Sequence, residues 1–117
     1  MAARSFFIEV VNAGPDLIRK DIGLDHGQWS NGGGNIPPER IPHRSRASWE
    51  SESDGFATGT QGHAIYGSDE GDVGFFWDDP FVGSNSFTVN HDSTLQATWG
   101  DISGNNAAVT VTLLESF

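Results

Sequence analysis

The aromatic residues are the side chains of this sequence best suited to binding another molecule. Four tryptophans and eight phenylalanines are spread over 117 residues. On a loop, such a ring can lie in a membrane interface or stack on a sugar, because its body is apolar and its edge is polar. In an alternating strand it more often fills the core, and we expect this of Phe6, Phe87 and Trp99.

Three other aromatic residues are candidates for loops. Trp77 and Phe81 bracket Asp78-Asp79-Pro80, and proline occurs at strand ends or edges because it cannot donate to a ladder. Trp29 immediately precedes the Gly- and Pro-rich loop Ser30–Pro42. The pattern therefore predicts exposed rings at Trp29, Trp77 and Phe81, and packing in the core is the alternative for each.

Carboxylates are the second group with possible chemistry. Asp69, Glu70 and Asp72 lie close together, and Asp78 and Asp79 follow them. Calcium takes six to eight oxygen ligands, so an acidic loop could hold it, but this spacing is not that of an EF-hand. A solvated acidic turn is the favoured interpretation, and we predict no metal or other cofactor.

Catalytic groups are not indicated. The histidines form no HExxH pair, no GxSxG elbow is present, and the sequence neighbours His91-Asp92-Ser93 cannot converge on one point. We therefore predict a protein that is not an enzyme. A hydrolase that uses His91 or His63 is a distant alternative.

The charge balance limits the partners. Six Lys and Arg against sixteen Asp and Glu give a formal net charge of −10. This argues against nucleic acid, whose binding depends on Lys and Arg, and disfavours anionic lipid. Half of the cations are Arg40, Arg44 and Arg46. They form a solvated face, a partner for acidic loops or, as a sharper hypothesis, a protein-docking site.

The elements that position these residues are short strands. Alternating apolar residues mark strands at 6–11, 86–89, 94–99 and 108–113; 64–66 and 73–77 are further candidates, and 17–24 and 47–52 are weaker ones. No long stretch has helical periodicity. Many short strands separated by turns are typical of a sandwich or barrel. We predict an all-β fold, a β-sandwich of two antiparallel sheets, as one domain over residues 1–117.

The chain has no cysteine and no run of about 20 apolar residues. Its first residues, MAARSFFIEVVN, do not resemble a secretory signal, because the apolar run is short and contains Glu9. We therefore expect synthesis in the cytoplasm without a signal peptide.

Several short motifs follow one another along the chain: Gly27-Gln28-Trp29, then Gly55-Phe56-x-Thr58-Gly59-Thr60, then Asp79-Pro80-Phe81-x-Gly83-Ser84-Asn85, with a last strand rich in Val and Thr. In this order they resemble the aegerolysin family, and within it the small component of bacterial binary insecticidal crystal toxins. The resemblance is colinear over nearly the whole chain. The sequence departs from fungal members in two features. Their tryptophan at the start of the first strand is absent, with Ser5 and Phe6 in its place, and their cysteine before the proline is Asp79 here.

The resemblance implies an aegerolysin-like β-sandwich and a non-enzymatic role in binding the membrane or receptor of a target cell. The target would be a sphingolipid or a gut receptor outside the producing bacterium. A larger partner, either perforin-like or a β-rich toxin, would form the pore, and the chain alone would be a monomer or weak oligomer. By motif position, Trp29, Trp77, Asp78 and Phe81 inherit the lipid-binding role, and Asp54 is the nearest candidate for head-group recognition.

A second function remains open beside this one. The same loop aromatics and acidic turns would suit a carbohydrate-binding module or lectin, with or without help from calcium.

Overall fold

Ten β-strands form nearly all the regular structure of the computed structural model, which describes residues 2–115. The strands are β1 (Ser5–Ala13), β2 (Leu17–His26), β3 (Gln28–Trp29), β4 (Arg40–Ile41), β5 (Ser45–Glu52), β6 (Thr60–Gly67), β7 (Val73–Asp79), β8 (Ser86–Asn90), β9 (Leu95–Trp99) and β10 (Asn106–Glu115). A short turn, Ser30–Gly33, with left-handed backbone at Asn31 and Gly32, interrupts them. Within residues 2–115 no helix is long and apolar enough to cross a membrane.

The strands form two five-stranded sheets. Sheet A has the order β3-β5-β1-β10-β9, and sheet B has the order β4-β2-β6-β7-β8. Strands β1 and β10 pair in parallel, from Ser5 opposite Asn106 to Ala13 opposite Leu114. The other pairs are antiparallel. The all-β prediction with two sheets is confirmed, and the parallel pair at the centre of sheet A is an exception that the strand pattern did not indicate.

The core lies between the facing sides of the two sheets. Every second residue of β1 is buried, as is every second residue from Ala107 to Leu113 in β10. This is the period of a strand with one covered face. Rings from both sheets meet in the middle: Trp49 of sheet A lies 5.5 Å from Phe75 and 6.0 Å from Trp77 of sheet B, between ring centroids. Apolar burial of this kind is the main term that holds a sandwich together.

The prediction that Trp77 lies exposed on a loop is wrong. Strand β7 continues to Asp79, so Trp77 shares the inward face with Val73 and Phe75, and only 1% of it is exposed. Its indole Nε1 donates to Ser51 Oγ at 2.9 Å inside the core. Pro80, not the acidic pair before it, ends the strand.

Among the aromatics assigned to the core, Phe6 and Phe87 are buried, as predicted. Trp99 is 38% exposed, although its ring packs edge-on against Phe87 at 5.3 Å. It is the last residue of β9, and β9 is an edge strand, so one side of the ring has no neighbouring strand to cover it.

The strands place the turns at two opposite ends. One end carries residues 2–4 and the loops 53–59, 80–85 and 100–105, and we call it the tip. The other end carries the turns 14–16, 42–44, 68–72 and 91–94, and we call it the base. The molecule measures 45 × 25 × 19 Å.

Candidate functional site

The tip exposes three apolar side chains on two neighbouring loops. Phe56 is fully exposed and Val82 is 83% exposed, while Phe81 is 39% exposed. Phe56 belongs to the loop between β5 and β6, and Phe81 and Val82 belong to the loop between β7 and β8. Neighbouring exposed apolar residues at one end of a small protein are typical of an interaction site.

The loop that carries Phe56 is held by a short hydrogen-bonded turn. The Gly55 N–H donates to Thr58 Oγ1 at 3.1 Å, and the Thr58 hydroxyl donates to the Gly55 carbonyl at 2.9 Å. Ala57 has a left-handed backbone with φ of 56°, which costs a non-glycine residue roughly 1 kcal/mol or more. The turn therefore holds the Phe56 ring out in solvent.

Arg4 connects both loops of the tip. Its guanidinium donates to the Phe81 carbonyl at 2.9 Å and lies over the Phe81 ring, 4.6 Å from the centroid. Its backbone carbonyl accepts from the Ser53 N–H at 2.9 Å, and its own N–H donates to Ser53 Oγ. A cation over an aromatic face is attracted by the ring quadrupole. Arg4 thus orients Phe81 from below while leaving part of the ring exposed.

Asp79 is the buried charge beneath this arrangement. Its Oδ1 lies 3.9 Å from Arg4 Nε, and its Oδ2 has no hydrogen-bond partner. Burial raises the pKa of Asp79 to about 6; the Arg4 charge opposes the shift and the Asp78 carboxylate adds to it. Gly59 packs so tightly on the backbone of residues 79–81 that a Cβ there would approach within 2.6 Å. The root of the Phe81 loop is therefore rigidly seated.

Open grooves border the exposed rings, and two of them are lined by the predicted binding carboxylates Asp54 and Asp78. One, of about 470 Å³, is lined by Gln28, Asp54, Phe56 and Phe81 among others. The second, of about 550 Å³, lies between Asp78 and Val82. Burial raises the pKa of Asp78, while nearby His26 lowers it and Asp25 raises it further. The tip thus combines apolar rings with carboxylates that can accept hydrogen bonds.

The structure brings three of the predicted binding residues together. Phe81, Asp54 and Asp78 all border the grooves of the tip. The prediction of an exposed ring at Trp29 is wrong: Trp29 ends strand β3 and is half-buried, with its ring 6.0 Å from the buried ring of Trp77. These two tryptophans form part of the packing beneath the tip. The carbohydrate-binding alternative relied on the same aromatic residues, and Trp77 is not available to a sugar because it is buried.

The three arginines assigned to partner binding lie away from the tip. Arg40 and Arg44 are exposed, on β4 and in the turn that follows it, and Arg44 has a left-handed backbone with φ of 64°. Arg46 is exposed on β5, with its guanidinium 3.7 Å from the Glu9 carboxylate. They are close to the base, so they do not contribute to the same site as Phe81.

Sequence reasoning missed Phe56, Val82 and Arg4 as site residues. Phe56 stands in a Gly-, Ala- and Thr-rich segment without alternation, which was a usable signal for a ring on a loop. Val82 has the weaker signal of following Pro80-Phe81. Nothing local marks Arg4, because its partners Ser53 and Phe81 are 49 and 77 residues away.

The groups considered for catalysis or metal binding make other contacts. His63 Nε2 lies 2.9 Å from Asp21 Oδ2, and His91 Nδ1 lies 2.8 Å from the Asp92 carbonyl. Across residues 2–115, no three His, Asp or Glu side chains are arranged to hold a metal ion.

Comparisons with known proteins agree with this architecture. The model of the aegerolysin family matches residues 5–116. An uncharacterized protein of Dictyostelium discoideum is 32% identical over an alignment of 117 residues. The alignment covers 97% of this chain and 10% of that protein, so the chain spans about a tenth of the length of this relative. The crystal structure of IP-1A from Alcaligenes faecalis superposes with a TM-score of 0.76 at 16% identity, covering 99% of this chain and 94% of that one. At that identity the likeness shows a shared fold.

Proposed function

Since the chain belongs to the aegerolysin family, we propose that it is the small, non-enzymatic membrane-binding component of a two-component pore-forming toxin. In this proposal the tip docks on the target membrane and a larger protein, perforin-like or a β-rich toxin, forms the pore. In this proposal the protein is made in a bacterial cytoplasm and acts outside the producing cell. Its resemblance to binary insecticidal toxins favours an insect gut membrane as the target.

The exposed apolar tip is the observation that carries this proposal. Fully burying one Phe or Val side chain contributes about 1.5–3 kcal/mol, so Phe56 and Val82 together contribute about 3–6 kcal/mol on entering the membrane interface. A micromolar dissociation constant requires about 8 kcal/mol, and association itself costs several kcal/mol. The tip therefore gives weak attachment by insertion alone, and specific contacts or several linked copies must supply the rest.

The charges of the tip favour a particular kind of lipid. Asp54 and Asp78 lie beside the rings, and the whole chain carries a formal net charge of −10. Anionic lipid would be repelled, whereas the ammonium or hydroxyl groups of a zwitterionic or neutral lipid can pair with these carboxylates. A sphingolipid head group has this chemistry.

The partner protein would approach from another side. Arg40, Arg44 and Arg46 are exposed near the base, so they stay accessible when the tip is in contact with a bilayer. An acidic surface on the larger component would complement them.

Sedimentation with vesicles tests the membrane-binding role. Liposomes with graded sphingolipid content are pelleted with the wild type, with the double variant Phe56→Ser/Val82→Ser, and with the control Leu114→Ser. We expect binding that requires sphingolipid, an affinity at least tenfold lower for the double variant, and wild-type behaviour for Leu114→Ser, which changes an exposed apolar residue at the base. No sedimentation of the wild type with any vesicle, or equal binding by the double variant, contradicts the proposal.

A further inference from the structure

We propose a second binding site, for a neutral saccharide, on the outer face of sheet B. The site is an open groove of about 330 Å³, which we call the flank groove. It is lined by Ile65, Asp72, Gly74, Phe76, Asn90, His91 and Asp92. None of these residues belongs to the tip, so the site stands independently of the proposed membrane-binding role.

A phenyl ring forms the floor of the flank groove. Phe76 and Gly74 are on the same outward face of β7, two residues apart, and a Cβ at Gly74 would come within 2.8 Å of the Phe76 ring. The ring therefore folds over the glycine, in the space that a larger residue would fill. His63 on β6 lies beside it, with ring centroids 6.3 Å apart and 30° between the planes. Phe76 and Ile65 thus form the apolar platform of the groove, and His63, whose Nε2 contacts Asp21, flanks the Phe76 ring outside the groove lining.

Such a platform suits the face of a pyranose ring. An aromatic face carries partial negative charge, which attracts the weakly polarised C–H groups that a sugar presents on one side. Core packing does not need this ring, since the inward residues of β7 are Val73, Phe75 and Trp77. The outward Phe76 is therefore free to contact a ligand.

Polar side chains surround this floor. Asn90 faces Gly74 across the β7–β8 pair, and His91 and Asp92 follow in the turn to β9. The Asp92 carboxylate lies directly against Gly71, whose φ of 97° belongs to the neighbouring turn, so the two turns hold one another in place. The rim thus supplies an amide, which both donates and accepts, and a carboxylate, which accepts. Adjacent hydroxyls of a sugar need this combination.

The charges of the rim select a neutral ligand. Asp72 and Asp92 repel phosphate, sulfate or carboxylate groups. A cation gains little, because both Asp72 oxygens already accept from Lys20 Nζ, at 3.1 and 2.9 Å. A groove of this volume lies at the lower end of the range for small-ligand sites, which fits one or two sugar units.

A glycan array followed by titration tests the proposal. The wild type is applied to printed neutral oligosaccharides ending in glucose, galactose, mannose or N-acetylglucosamine, and the best binder is titrated by calorimetry in solution. We expect binding to a neutral terminal sugar and a loss of at least tenfold in affinity for Phe76→Leu, which keeps an apolar side chain but removes the aromatic face. Asn90→Ala, an exposed change at the rim, should also lose at least fivefold and serves if Phe76→Leu fails to fold.

Controls separate this site from the tip. The Phe56→Ser/Val82→Ser variant should bind the same oligosaccharide as the wild type does. Failure to bind any neutral glycan, unchanged affinity in both groove variants, loss of glycan binding in the tip variant, or displacement of the sugar by choline chloride would overturn the proposal. Binding to the same sugar is then compared on a glycolipid in vesicles and on a neoglycoprotein. The comparison shows whether the flank groove takes its ligand from a lipid or from a glycoprotein.

Discussion

Trp77 and Phe81 are only four residues apart, yet they lie in opposite environments. Trp77 is in the centre of the core and is fixed by contacts with Trp49 and Trp29 and a hydrogen bond to Ser51. Phe81 is at the tip, partly exposed, and is held by one cation. The change takes place at Pro80, where the strand ends and the alternation of inward and outward residues stops.

The difference shows two ways to fix an aromatic ring. The interior ring is positioned by close packing, so its neighbours tolerate almost no change in volume. The ring at the tip is positioned by polar contacts to Arg4, which leave one side of it open to another molecule. The ring at the tip therefore depends on a few polar contacts, while the ring in the core depends on close packing against many neighbours.

Truncation of the interior ring should have the largest effect. We expect Trp77→Ala to lower the free energy of unfolding by about 3–5 kcal/mol, because it leaves a cavity and removes the donor to Ser51. Phe56→Ala is the matched aromatic truncation at the tip and should stay within about 0.5 kcal/mol of the wild type. Urea unfolding followed by tryptophan fluorescence measures both, and equal losses would remove the distinction between core and tip.

Removal of the cation below the tip should have an intermediate effect. We expect Arg4→Met to cost about 2–3 kcal/mol at pH 8, because it removes a charged hydrogen bond and leaves the Asp79 carboxylate buried without its counter-charge. At pH 5, where Asp79 is largely protonated, the loss should be clearly smaller. Urea unfolding at both pH values measures this, and an equal loss at the two pH values would mean that Arg4 acts only through the Phe81 carbonyl.

Replacement of the buried carboxylate should have the smallest effect and the opposite sign. The pKa of Asp79 is about 6 in the fold, above its ordinary value of 3.8. The folded state thus holds its proton more tightly, and this group adds stability as the pH falls from about 7 to about 4. We expect Asp79→Asn to stabilise the protein at pH 8 by about 1–2 kcal/mol and to flatten this pH dependence. A destabilised variant at pH 8 would show that the charge itself is required.

The strands were predictable because they alternate. Phe6, Ile8 and Val10 in β1 and Val109, Val111 and Leu113 in β10 all face the core, as the period of two required. The same period continued through Val73, Phe75 and Trp77, but the acidic pair after Trp77 was interpreted as a turn. Nothing local marks Asp79 as an inward residue, because the cation that compensates for it is 75 residues away in the sequence.

The candidate site was less predictable than the fold. The loop of Phe81 and the acidic residues Asp54 and Asp78 were identified, whereas its most exposed ring, Phe56, was not singled out. A local pattern indicates where a loop lies but not which of its side chains packs back on the body. At the tip this depends on contacts between segments far apart in the sequence: Arg4 with Ser53 and Phe81, and Gly59 with the backbone of residues 79–81.

The parallel pairing of β1 and β10 has a consequence for the order of folding. Strand β1 is synthesised well before its partner on one side, Asn106–Glu115, because Ser5 pairs with a residue 101 positions later in the chain. Until then Phe6, Ile8 and Val10 lie on a strand with an open edge, which is a template for wrong pairing. Contacts between residues this far apart in sequence also form slowly. Sheet A is therefore completed only after β10 has been synthesised, and the tip residues that depend on the position of β1 take their final arrangement after that step.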